Sequence, residues 1–166
     1  MITVRLNTIR EEQGFEPHKE KVRGFEPVKR MGTIPRMPTR GSIHSAGYDF
    51  YVYDDYTIEP QQSVWIPTGV KAYMPPDEYL DLRVRSSLGI KRQLMLATGA
   101  SVIDADYYNN PDNEGEIMIV LYNYGTETQY IEAGERVMQG IFTKYYLADN
   151  DDTTDKRTGG TGSTNK

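Results

Sequence analysis

Residues 99–123, GASVIDADYYNNPDNEGEIMIVLYN, decide how the rest of the chain is read. The front half sets two carboxylates, Asp104 and Asp106, directly after the apolar pair Val102 and Ile103 and directly before the aromatic pair Tyr107 and Tyr108. The back half, 117–122, is aliphatic and β-branched, the pattern of a strand buried on both faces. Between them, Asn109-Asn110-Pro111-Asp112-Asn113 is turn chemistry that no helix or strand interior tolerates. The expectation is a long β-hairpin with acids on one arm and a wide loop at its tip. A carboxylate held against an apolar wall suits a general base, because partial desolvation lifts its pKa toward the working pH. A solvated turn uses the same residue types, so the assignment rests on what surrounds them.

On both sides of this stretch the chain has the texture of a β protein. Residues 47–53 are aromatic-rich, and candidate strands at 64–66, 69–74 and 78–85 follow at short intervals, broken by Glu59-Pro60 and Pro75-Pro76. Segment 78–85 alternates, with Leu80, Leu82 and Val84 on one side and Asp81, Arg83 and Arg85 on the other. Segments 128–132 and 135–147 add two more strands. Short strands, frequent turns and abundant tyrosine predict a closed or sandwich-like antiparallel fold. The one good place for a helix is 86–93, SSLGIKRQ, where a serine can cap the first free amides and Arg85 can join them as a cradle for an anion. The same RSS also reads as a strand end meeting a capped turn. Gln139 stands among apolar residues in ERVMQGIF (135–142), and it is a ligand only if it faces the same cleft as Arg85.

Composition narrows the chemistry. A chain of 166 residues has room for one domain that buries about 60–70 % of its extended surface. No run approaches the roughly 18 apolar residues of a membrane span, and the start lacks the apolar segment of a signal peptide. The expectation is a soluble, cytoplasmic protein with no membrane contact. Cysteine is absent, which removes disulfides, thiol nucleophiles and cysteine-ligated metals. His18 and His44 are far apart, so a zinc site or a serine–histidine triad would rest on one of them. A participating metal would be a hard ion such as Mg²⁺, held by oxygens. The net charge of −5 divides into +4 over residues 1–45 and −9 over the remainder. An acidic body lacks the cationic face that nucleic acid requires, so a polyanionic ligand here is small and gripped by a few placed cations.

The two ends read differently from the middle. GFEP occurs at 14–17 and again at 24–27, too few copies for a stacked repeat, and the reading is a surface arm with one copy serving as an edge strand. Pro35, Pro38 and Gly41 make 34–42 an extended connector. At the other end, an acidic run over 149–155 precedes KRTGGTGSTNK. Its glycines let backbone approach a ligand closely, and its cations and hydroxyls suit phosphate oxygens; a Gly/Ser/Thr terminus is also commonly just a mobile end.

SAGYDF (45–50), RSSLGIK (85–91), GASVIDADY (99–107), GERVMQ (134–139) and GGTGST (159–164) together resemble, in order and spacing, the motifs of the homotrimeric dUTPases, the dUTP nucleotidohydrolases. The resemblance covers roughly 38–165. It implies an all-β protomer, a distorted jelly-roll or β-barrel of the β-clip, dUTPase-like type with one short helix, assembled as a homotrimer with active sites at subunit interfaces. It also implies cleavage of dUTP to dUMP and pyrophosphate with Mg²⁺, Asp104 being similar to the base that activates water for attack on the α-phosphorus. Tyr107 resembles the residue whose ring lies against the deoxyribose and leaves no space for a 2′-hydroxyl. Main-chain groups of Gly99, Val102, Ile103 and Met118 resemble those that read uracil. Arg85, Ser86, Ser87 and Gln139 resemble the phosphate-binding set, and Asp49 the acid that meets Mg²⁺ through water. The tail, with Gly160, Thr161, Gly162 and Ser163, would fold over a neighbouring subunit's site as a lid. On this reading the chain divides into a basic arm with an edge strand (1–37), a β core (38–148) and a flexible C-terminal lid tail (149–166).

The chain departs from the family pattern in three places. Thr161 stands where the tail usually carries an aromatic that stacks on uracil, an interaction worth about 1–3 kcal/mol. The loop 108–114 is longer than the family's short turn. The tail cation is Lys156 by spacing from the glycines, or Arg157 by residue type. Two other activities share features with this pattern. A dCTP deaminase would need a glutamate within the strand that here reads IMIVLYN, and Glu116 comes too early. A nucleotide-sensing binding protein with little turnover would use the arm, the enlarged loop and the altered tail to meet a regulatory partner.

Overall fold

Alternating segments that end at proline or glycine every few residues make short strands, and the backbone follows them. The computed structural model describes residues 20–32, 35–157 and 159–160. Its strands are β1 (Gly24–Pro27), β2 (Thr39–Arg40), β3 (Tyr48–Tyr51), β4 (Tyr56–Ile58), β5 (Ser63–Pro67), β6 (Val70–Tyr73) and β7 (Glu78–Val84). A single seven-residue helix, α1 (Ser86–Arg92), is followed by β8 (Leu94–Leu96), β9 (Ser101–Asp104), β10 (Met118–Asn123), β11 (Gln129–Ile131) and β12 (Arg136–Lys144). The largest sheet has the order β2-β3-β12-β7-β9, and a second sheet has the order β5-β10-β8. Two-stranded ladders, β1-β6 and β11-β4, close the sides, and every pairing is antiparallel.

The alternation read in β7 is kept: Leu80 and Leu82 are fully buried while Asp81 and Arg83 face outward. They share one apolar cluster with Phe50 and Met138 of the same sheet and with Ile66, Ile119 and Leu121 of the other. The inner faces of the two main sheets therefore pack on each other, giving the all-β, distorted jelly-roll protomer with one short helix. The second GFEP copy is β1, in register with β6 from Gly24 opposite Tyr73 to Pro27 opposite Val70. Phe25 reaches the core in edge contact with Phe50, and Val28 is buried, so residues 24–28 pack on the domain rather than hang from it. The first GFEP copy lies outside the described residues. No helix among the described residues is long and apolar enough to cross a membrane.

Three local expectations change. The stretch 99–123 is not a hairpin: β9 pairs with β7, Asp104 opposite Tyr79 through Ser101 opposite Leu82, while β10 pairs with β5 and β8. Each arm finds its partner elsewhere in the sequence, and among the described residues no ladder joins them. Second, β10 is not buried on both faces. Ile119, Leu121 and Asn123 point into the core, whereas Met118, Val120 and Tyr122 are half-exposed, because their side of the strand faces an opening. Third, the helix cap is Arg85 itself in extended conformation, with no side-chain cap bond, so neither serine caps the helix. The carbonyl of Arg85 instead receives the amides of Leu88 and Gly89.

Candidate active site

The parting of β9 from β10 is what makes room for a ligand. β9 is the edge of its sheet, and β8 covers β10 only from Leu121 onward, so both strands turn backbone toward a common cavity. The cavity measures about 450 Å³ and is lined by Trp65, Val102, Asp104, Tyr107, Met118 and Val120 among others. That volume falls in the range of small-molecule sites, about 300–1,000 Å³.

Asp104 ends β9 and caps a 3-10 turn, Ala105–Tyr107. The turn swings Tyr107 inward, where its hydroxyl donates to the Glu116 carbonyl at 3.1 Å and accepts from the Asn113 side-chain amide at 2.6 Å. The ring is thereby fixed in orientation as well as buried. Asp104 is different: its side chain is 49 % exposed and ion-paired to Arg157, so it is not sealed against an apolar wall as the sequence suggested. Arg157 also meets Asp106 at 2.8 Å and lies 5.8 Å above the Tyr107 ring. The neighbouring tail residues rest on the loop, with Asn110 donating to the Gly159 carbonyl at 2.8 Å and the Gly160 amide donating to Asp112 at 3.2 Å. Of the two candidate tail cations, Arg157 enters this region and Lys156 is exposed. The described tail residues thus rest on the loop of their own chain. Thr161, Gly162 and Ser163 lie outside the described residues.

A second group forms at the far end of β7. Asp49, buried on β3, meets Arg85 at 3.3 Å and Arg136 at 3.1 Å. Gln139 sits directly opposite Asp49 on β12, which places it on the same face and beside Arg85's partner. The side chain of Gln139 packs over Gly47, where any Cβ would collide with it, and this accounts for glycine in SAGYDF. Ser86 and Ser87 open α1 next to Arg85. The two groups do not meet within one chain. Asp104 is in register with Tyr79 and Arg85 follows Val84, a separation of about 20 Å at the ~3.3 Å rise of a strand.

Among the described residues no cluster of three or more histidines or carboxylates could cage a metal ion. Both oxygens of Asp49 are already engaged by guanidinium groups. These residues offer no direct oxygen cage, so a hard cation such as Mg²⁺ would have to come with a ligand's own oxygens and its water.

Several residues of the cavity and of the Asp49 group escaped sequence reading. Trp65 is 57 % exposed and stands directly opposite Val120 on the cavity side of β5. A lone tryptophan on the outward side of an alternating strand was the available signal. Arg136 was hidden by a bulge between Arg136 and Met138 that shifts its register toward Asp49. Glu116, 1 % exposed on its side chain, lines the cavity and is bonded to Arg30 and to the Gly69 amide. Nothing local in the sequence marks that pairing.

A sequence profile described as dUTPase matches residues 35–165. The deoxyuridine 5′-triphosphate nucleotidohydrolase of Lactococcus lactis subsp. lactis is 45 % identical over 147 residues, which cover 87 % of this chain and 98 % of that protein. The Mus musculus protein of the same name is 35 % identical over 142 residues, covering 82 % of this chain and 83 % of its own. The crystal structure of dUTPase from Streptococcus mutans superposes with a TM-score of 0.71 at 44 % identity, over 76 % of this chain and 99 % of that one.

Proposed function

The chain belongs to the dUTPase family, and on that premise we propose that it hydrolyses dUTP to dUMP and pyrophosphate by attack of water on the α-phosphorus. The observation that carries this reading is the cavity between the uncovered edges of β9 and β10 with Asp104 at its rim. Asp104 takes the proton as the water oxygen bonds to phosphorus; the bond from that phosphorus to the bridging oxygen breaks, and pyrophosphate leaves with the bonding pair. Proton removal contributes about 10²- to 10⁴-fold, and positioning and charge neutralisation carry the rest.

Base selection follows from backbone. Strand edges at Val102, Ile103 and Met118, with the turn at Gly99 that leads into β9, offer main-chain groups to a planar ring, as a further strand would. Cytosine would set a donor against a donor and leave buried polar groups unpaired. Tyr107, locked at its hydroxyl, fills the space a ribose 2′-hydroxyl would need. Arg85, Ser86, Ser87 and Gln139 supply phosphate contacts. Because Arg85, which groups with the others, lies about 20 Å from Asp104 along one chain, the reading assigns this set to a second copy, in a homotrimer with sites between subunits. Lys156, Arg157, Gly160, Thr161, Gly162 and Ser163 form the lid, and Arg157 exchanges its carboxylate partners for phosphate as it closes. Mg²⁺ bound with the triphosphate would supply charge neutralisation, and Asp49 would be the residue that holds it, through water.

Deamination of dCTP is less well supported, since both oxygens of Glu116 are occupied by Arg30 and the Gly69 amide. A cytoplasmic location accompanies the reading, as does the absence of nucleic-acid and membrane ligands. Incubating purified protein with dUTP in ¹⁸O-water tests it: dUMP and pyrophosphate should appear in equal amounts with the label in dUMP. Label in pyrophosphate, binding of dUTP without turnover, or ammonia release from dCTP would each overturn it, the second in favour of a nucleotide-sensing protein with a regulatory partner.

A further inference from the structure

We propose that the segment 26–31 is a positioning element for the nucleotide cavity, in which Arg30, acting through Glu116, and Glu114 fix the loop that holds Tyr107 in place. The proposal rests on the reading of the cavity as a deoxynucleotide site.

The loop between β9 and β10 has little to hold it. Its own bonds are mostly local turns, such as the Asp112 amide to Asn110 and the Gly115 amide to Asn113, and such turns leave a loop of this length free to move as a body. Besides the tail contacts at Asn110 and Asp112, its external anchors come from the N-terminal side. Glu114 accepts the backbone amides of Lys29 and Arg30, one on each oxygen and each at 3.0 Å. The Arg30 guanidinium pairs with the Glu116 carboxylate, whose other oxygen takes the Gly69 amide at 2.8 Å. Tyr108 donates to Glu26 at 2.6 Å, and Lys71 of β6, the strand that carries β1, donates to Asn109 at 2.5 Å.

The same Glu116 whose carboxylate is held by Arg30 offers its carbonyl to the Tyr107 hydroxyl. One residue therefore separates the arm from the ring. Gly115 tightens the connection: it adopts φ +78°, and a Cβ there would strike the Tyr107 carbonyl, so the loop wraps the tyrosine closely. The charge state of the carboxylates agrees with this geometry. The amides of Lys29 and Arg30 hold the Glu114 carboxyl below the usual range, and the Tyr108 hydroxyl with Lys21 does the same for Glu26. Removing Arg30 would leave the buried Glu116 carboxylate without its counter-charge, and the local structure must move to hydrate it.

The test compares full-length protein with its Arg30→Ala, Arg30→Lys and Glu114→Ala variants, measuring kcat and KM for dUTP and for UTP. Arg30→Ala should raise KM for dUTP about tenfold with kcat within about threefold, and should lower the preference for dUTP over UTP about tenfold, the discrimination lost when a snug contact loosens. Arg30→Lys should recover most of the preference, and Glu114→Ala should shift it in the same direction by less. A variant that unfolds at lower temperature yet keeps the unaltered dUTP:UTP preference would reduce the arm to a structural role and overturn the proposal. Hydrogen exchange of the ligand-free proteins separates this from the activity itself: amides of 108–116 should exchange faster in Arg30→Ala and Glu114→Ala, and unchanged exchange in both overturns the clamp even if dUTP proves not to be the substrate. Failure of the unaltered protein to turn over dUTP, with faster exchange in the variants, would instead fault the reading of the reaction.

Discussion

Asp104→Asn separates catalysis from folding, and the structure supplies both magnitudes. The substitution keeps the shape of the side chain and removes its ability to accept a proton. Loss of a general base lowers kcat by about 10²- to 10⁴-fold, or about 2.7–5.4 kcal/mol of transition-state free energy. The cost to the fold is small for a local reason. The side chain is 49 % exposed, its partner Arg157 retains Asp106 at 2.8 Å, and the backbone register with Tyr79 is untouched. An ion pair this exposed contributes about 0–1 kcal/mol after solvent screening. Steady-state pyrophosphate release from dUTP, run beside urea unfolding of the same preparations, reads both quantities. The expected result is a fall in kcat of at least about a hundredfold, KM within a few-fold, and unfolding free energies within about 1 kcal/mol. A kcat within about threefold of the unaltered protein, well short of the range for a lost base, would refute the assignment of Asp104. Loss of more than about 2 kcal/mol of stability would refute the reasoning from its exposed environment.

Subunit mixing tests the division of the site. Asp104→Asn and Arg85→Ala proteins, each inactive, should regain about a quarter of the unaltered activity when refolded together, because random assembly gives that share of interfaces with both residues intact; no recovery would place both residues in one subunit's site. Trp65→Ala should raise KM for dUTP about tenfold with little change in kcat, in line with stacking of a base on an aromatic face, and an unchanged KM would remove Trp65 from the site. For pH, the Glu26 and Glu114 carboxyls are depressed in the folded protein, so their contribution is fully present above the ordinary glutamate value of about 4.3 and is lost as pH falls through the folded values. Protection of amides 108–116, corrected for intrinsic exchange, should therefore fall as pH drops below about 4.3, and protection that stays level down to the onset of global unfolding would count against the arm's carboxylates as anchors.

How far the sequence could be read depends on whether the deciding contacts are local. In β7 each leucine is flanked by polar residues, so period alone gave the strand and its inner face. The helix over Ser86–Arg92 was found within a residue of its end, but its cap was misassigned because Arg85 enters in extended conformation. The stretch 99–123 shows the limit most clearly. Period and turn residues located two strands and a loop, but which strand pairs with which is a contest among distant segments, and β7 won Ser101–Asp104. The candidates Asp49, Arg85, Asp104, Tyr107 and Gln139 were picked out by family motifs, and the structure places Asp104 and Tyr107 at the cavity and groups Asp49, Arg85 and Gln139 elsewhere. Arg30, Trp65 and Arg136 were not picked out, because each acquires its role from a partner far away in sequence: Glu116, Val120 and Asp49 respectively.

The position of Asp104 and Arg85 on a common strand frame has a consequence for how such a protein is switched on. β7 is rigid and pairs on both sides, with β12 and with β9, so the distance between the acid opposite Tyr79 and the cation beyond Val84 is fixed by backbone rise and not by loop motion. No closure within one chain can bring those side chains to the same phosphoryl group. The lone protomer instead satisfies each charge at home: Arg157 neutralises Asp104 and Asp106, and Asp49 neutralises Arg85 and Arg136. The pair at Asp104 is half-exposed and weak enough to exchange, whereas Asp49 is buried and its two guanidinium partners would be released only to a ligand that supplies equivalent charge. On the proposed reading, hydrolysis would therefore require assembly, because only a second copy would change which charges face Asp104 and Arg85.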